Sequence, residues 1–105
     1  MKKVNKLIRN GQVAVLYSPG FGAGWSTWNH EYPDMLFDAG MVDLVLKGDI
    51  AQMQAYATVK WPDAYLGGLG DLTVAWVDQG QQIKVDEYDG SESIEYRDSD
   101  DWITV

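Results

Sequence analysis

The spacing of apolar residues changes period along the chain, and the changes divide it into three stretches. Val13, Val15 and Tyr17 alternate along one face, as a strand requires, and Asn10-Gly11 just before them is a type I′ turn signal. Together they predict a β-hairpin over residues 4–18. Val4, Leu7 and Ile8 also suit a 3.6-residue period, so a helical start over residues 4–9 is the alternative.

In the middle stretch, Pro33 suits a first helical turn, Met35, Leu36 and Phe37 follow it, and Gly40 reads as the stop of one short helix. The apolar run 41–46 fits either a helical turn or a buried strand. Asp49 then reads as an N-cap with Gln52 three residues on, and Ile50, Met53, Tyr56 and Ala57 form an apolar stripe that ends before Pro62. After Tyr65 the period becomes two. Strands are predicted at 72–77, 83–88, 94–97 and 102–105, separated by Gln79-Gly80, Asp89-Gly90 and the acidic run 98–101. Adjacent short strands suggest an antiparallel meander. The order of hairpin, two or three short helices and C-terminal meander is that of an α+β fold, in one domain over residues 1–105.

Composition narrows the function classes. The chain has 105 residues, 46% of them hydrophobic, with five Trp and no Cys. A core of this size buries roughly 65% of the surface that the unfolded chain exposes, so a single folded domain is expected rather than disorder. The missing thiols remove disulfides and thiolate chemistry. The chain holds no apolar run long enough for a membrane span, and no apolar signal core follows the charged first residues. A soluble protein of the cytoplasm is expected, with no cofactor.

Charge is distributed unevenly. Residues 1–70 carry six acids and six bases, whereas residues 71–105 carry ten acids against Lys84 and Arg97, so the net charge of −8 lies in the last third. Such a field repels nucleic acid, and it suits either solubility or a basic protein partner. Asp98, Asp100 and Asp101 are the candidate contacts for that partner. Metal binding is not expected, because His30 is the single histidine and the acids around Asp89-Gly90 (Asp86, Glu87, Asp89 and Glu92) lack EF-hand spacing. They read instead as a hairpin tip.

The loop from Ser18 to Trp25 is the best candidate site. Its glycines allow backbone N–H groups to approach a ligand, and Trp25 and Trp28 offer faces for stacking. The candidate ligand-binding residues are Tyr17, Ser18, Gly20, Phe21, Gly22, Gly24, Trp25, Trp28 and His30. The loop lacks the Lys and Ser/Thr of a P-loop and the spacing of a dinucleotide fingerprint. A tight turn that lets aromatic residues pack is the competing explanation. An enzymatic reading would use His30 with Ser26 and with Glu31 or Asp34, but Pro33 interrupts any helix that would align them.

The string from Val15 to Trp25 and the string from Glu87 to Glu92 resemble small uncharacterised proteins of phages and prophages. The resemblance implies an accessory role inside a bacterial cell, such as counter-defence. Two binding modes follow as expectations for a non-catalytic protein, with a homo-oligomer as one option for its assembly. In one, a nucleotide-like small molecule is sequestered at the Gly/Trp loop. In the other, the acidic strands inhibit a basic host protein by imitating nucleic-acid charge.

Overall fold

Strand β2 (Gln12–Tyr17) has apolar side chains at all four interior positions, so period-two alternation places apolar groups on both of its faces. Both faces are covered. Val13 and Val15 pack with Leu36, Phe37, Val77, Ile83 and Val105, while Ala14 and Leu16 pack with Trp25, Met35, Met41, Met53 and Trp61. The strand therefore separates two cores, and each large aliphatic side chain it buries contributes about 1.5–3 kcal/mol. The computed structural model describes residues 6–20, 24–96 and 103–105.

Strand β1 (Ile8–Arg9) pairs antiparallel with β2 across Asn10 and Gly11, whose φ values of 53° and 77° are those of the expected type I′ turn. On its other side β2 pairs with β3 (Thr73–Asp78), with Val13 opposite Val77 and Leu16 opposite Val74. A second sheet contains β4 (Gln82–Tyr88), β5 (Ser91–Tyr96) and β6 (Ile103–Thr104) in the order β5-β4-β6.

The α+β class and the C-terminal strands agree with the sequence, but their partners are not those of a simple meander. β3 leaves its neighbours and completes the N-terminal sheet. Its interior run Val74-Ala75-Trp76-Val77 is apolar on both faces, which suits a place beside the doubly buried β2. Gln79 and Gly80 consequently form a corner between sheets. Gln79 donates its N–H to the Gly11 carbonyl at 2.9 Å, and Gly80 donates to the Val105 carbonyl. Asp89-Gly90 does close a tight hairpin, with φ values of 49° and 83° and Tyr88 opposite Ser91.

Between β2 and β3 in sequence lie a 3₁₀ turn at Pro33–Leu36 and two helices, α1 (Ala39–Lys47) and α2 (Ile50–Lys60). The expected short helix ending at Gly40 is thus corrected. Gly40 lies in the first turn of α1, because Asp38 caps that helix by accepting from the Met41 N–H at 2.9 Å, and the ambiguous run 41–46 is helical. A side chain at Gly40 would collide with the Tyr56 hydroxyl. Helix α2 begins as predicted, with the Asp49 carboxylate accepting from the Gln52 N–H at 3.1 Å, and it ends before Pro62. Met53 and Ala57 enter the core, but Ile50 is 52% exposed because it sits at the first turn.

Asp38 also joins the helices. Its buried carboxylate accepts from the Tyr56 hydroxyl at 2.7 Å and pairs with the Lys60 ammonium, both on α2. Burial, assisted by the bond to Asp38, raises Tyr56 above its ordinary pKa of 10.0; the bond to Asp38 raises Lys60 above 10.5 in spite of its desolvation. Both groups hold their protons more tightly in the folded state than in the unfolded state. Their stabilisation is complete below the ordinary values and is lost as pH rises through the elevated ones. The urea midpoint should therefore be flat with respect to this pair up to about pH 9 and fall beyond about pH 10, and a Tyr56→Phe, Lys60→Met double variant should show a shallower alkaline fall.

Candidate functional site

The two ends of the glycine loop, at Ser18 and at Trp25, meet at an internal carboxylate. Glu92, at the second position of β5, is 1% exposed. Its Oε1 accepts from the Ser18 N–H at 2.9 Å. Its Oε2 accepts from the Trp25 N–H at 2.7 Å, the Thr27 N–H at 3.0 Å and the Thr27 hydroxyl at 2.6 Å. The Glu92 N–H in turn donates to the Ser18 carbonyl at 2.7 Å, and the Ser91 hydroxyl donates to the Pro19 carbonyl at 2.6 Å. These are the backbone donors that the sequence suggested for a ligand, and a carboxylate of the same chain accepts from them. Glu92 is thus an interior residue rather than a hairpin-tip acid. The signal was in its strand: two residues before the inward-facing Ile94, it shares that residue's face.

The remaining candidates scatter. Trp25 is 0% exposed; its indole N–H donates to the Met35 carbonyl at 2.7 Å, and its ring meets Trp61 edge-to-face at 5.8 Å. Ser18 is buried and donates its hydroxyl to the Gly68 carbonyl at 3.1 Å. Gly24 is also interior, Tyr17 is half-buried, and Gly20 lies against the Asp71 carboxylate. Trp28, at 40% exposure, and His30 reach the surface. Phe21 and Gly22 lie outside the described residues, as do Asp98, Asp100 and Asp101.

A residue the sequence did not single out completes the exposed aromatic surface. Tyr65 packs against Trp28 with ring centroids 5.1 Å apart and planes at 40°. Asn29 sets this arrangement. Its amide donates to the Trp25 carbonyl at 2.8 Å and the Tyr65 carbonyl at 2.9 Å, and its oxygen accepts from the Tyr65 N–H at 2.6 Å. Two glycines give the rings room: a Cβ at Gly24 would lie 2.6 Å from Cδ1 of Trp28, and one at Gly67 would lie 2.6 Å from Cε1 of Tyr65. The rings border a pocket of about 170 Å³ lined by Trp28, Asn29, Glu31, Tyr32, Asp63 and Tyr65.

A larger, mainly apolar cleft of about 250 Å³ separates the segment 26–36 from β4 and β6, with His30 and Lys84 among its lining residues. The enzymatic set is not assembled there. The Asp34 carboxylate accepts from the Trp61 indole at 2.9 Å, and no hydrogen bond joins Ser26, His30 and Asp34. Among the described residues, no cluster of three or more His, Asp or Glu side chains could hold a metal ion, and no helix is long and apolar enough to cross a membrane. Comparison with known proteins finds no match among family models, curated proteins or solved structures.

Glu92→Ala would leave three backbone donors and a hydroxyl without their buried acceptor, and the loss should reach at least about 3 kcal/mol in equilibrium urea unfolding. Gly24→Ala should displace the Trp28 ring, an effect visible as a shifted Trp28 indole resonance in a protein that still folds. Unchanged stability in the first variant, or an unshifted resonance in the second, would contradict these roles.

Proposed function

We propose that this chain is a non-catalytic binding protein that engages a basic protein partner through its acidic C-terminal strands, in a phage-type counter-defence setting. The observation that carries this reading is the excess of surface carboxylates on the second sheet and its turns. Glu87, Asp89 and Glu95 are exposed, Asp86 is half-exposed, and Lys84, the one base described in that stretch, lies 3.9 Å from Asp86. Tyr88 stands among them 74% exposed, a ring on which an arginine can stack. A surface of this sign attracts a groove built to hold phosphates.

Competition with duplex DNA for purified basic nucleic-acid-handling host proteins tests the proposal. The chain should displace DNA from a target, with affinity falling at least about tenfold between about 50 and about 200 mM salt. Neutralising Asp86, Glu87, Asp89 and Glu95 together should abolish the competition. Failure to displace DNA from any target, or a complex indifferent to salt, would overturn it.

One observation favours a second reading. The cleft beside His30 and Lys84 combines apolar walls with two groups able to meet an anion, so a nucleotide-like ligand is better placed there than at the loop donors that Glu92 occupies. Calorimetric titration with linear and cyclic nucleotides should then give heat that a His30→Ala variant loses. No heat with any nucleotide would remove this reading.

A further inference from the structure

We infer that the pocket bordered by Trp28, Tyr32 and Tyr65 is a binding site for a single organic cation, an alkylammonium or guanidinium head. The site is distinct from the acidic strands, and the inference does not depend on how those strands are used.

The chemistry of the lining selects the sign of the ligand. Three aromatic residues, Trp28, Tyr32 and Tyr65, border the pocket, and its two ionisable acids are Glu31 and Asp63, both exposed. Aromatic faces carry negative quadrupole charge, and Trp attracts cations most strongly. Among the described residues neither Glu31 nor Asp63 has an ion-pair partner. The side-chain amide of Asn29, the group best able to receive an anion, spends both donors on the Trp25 and Tyr65 carbonyls. Among the described residues, no Lys, Arg or His lines the pocket.

The site is also built in advance. Asn29 fixes Tyr65 across 36 residues of sequence, and Gly24 and Gly67 are the positions at which a side chain would push Trp28 and Tyr65 away. Fixed rings lower the ordering cost of binding. A pocket of about 170 Å³ equals the liquid share of roughly five or six waters, enough for one cationic head and too little for a nucleoside.

Such a head could belong to a free amine or to a Lys or Arg side chain of another protein. The test follows the indole and amide resonances of Trp28 and Tyr65 by NMR during titration with tetramethylammonium, with arginine methyl ester, and with a short peptide holding one arginine among neutral residues. Saturable shifts with the cations and none with acetate are expected. The affinity should fall at least tenfold in Trp28→Ala and in the Glu31→Gln, Asp63→Asn double variant, whose surface substitutions leave the fold intact. Tighter binding of the peptide than of the ester would assign the site to a protein side chain; equal or weaker binding would assign it to a small amine. Absence of saturation with every cation, equal shifts with acetate, or undiminished affinity in both variants would overturn the inference. That failure would leave the competition with DNA untouched, just as failure of the competition would leave this titration untouched.

Discussion

The interior carboxylate of Glu92 is the constraint on which the rest of the surface depends. A buried charge is tolerated only when its hydrogen-bonding capacity is met, and here the donors come from the end of β2 and from the start of the 3₁₀ turn at Ser26–Trp28. One side chain thus holds the second sheet, the first sheet and the intervening loop in a single arrangement. Because the Trp25 N–H is fixed to Glu92, the Trp25 ring is directed into the core, and Trp28, three residues on, is left at the surface beside Tyr65. Gly24, beside Trp25, leaves the room that the Trp28 ring occupies.

Asp38 plays the equivalent part in the helical layer. It caps α1 and receives Tyr56 and Lys60 from α2, so a second buried carboxylate ties the two helices together. A small domain without disulfides has to specify its packing by other means. Two satisfied carboxylates, each reaching across distant parts of the chain, serve that end by penalising any arrangement that separates them from their donors.

This division explains what could be read from sequence. The type I′ turns at Asn10-Gly11 and Asp89-Gly90 and the cap of α2 are local, set by residues within a few positions, and were legible. The partner of β3 was not, because period two identifies a strand without naming its neighbour; only the two-sided apolar character of Val74 to Val77, matched to that of β2, points to the pairing. The site divided in the same way. Trp28 and His30 were identifiable by type, whereas Tyr65 enters through an Asn29 contact that spans 36 residues. Glu92 was misplaced because its neighbours Asp89 and Gly90 belong to a turn, and the turn's chemistry masked its inward register.

Charge counting along the chain hides a further asymmetry. Residues 1–70 balance by number, yet their described bases are engaged locally: Lys6 lies 4.5 Å from the Phe37 ring centroid, Arg9 lies 5.5 Å from that of Trp76, Lys47 pairs with Asp43 at 3.0 Å, and Lys60 pairs with Asp38. Those cations therefore do not neutralise Glu31 and Asp63, which face a pocket lined with aromatic residues. In the last third the opposite correction applies, since Glu92 contributes to the count but not to the surface. Among the described residues, the aromatic pocket, not the most acidic segment, is where carboxylates without an ion-pair partner border a shaped cavity.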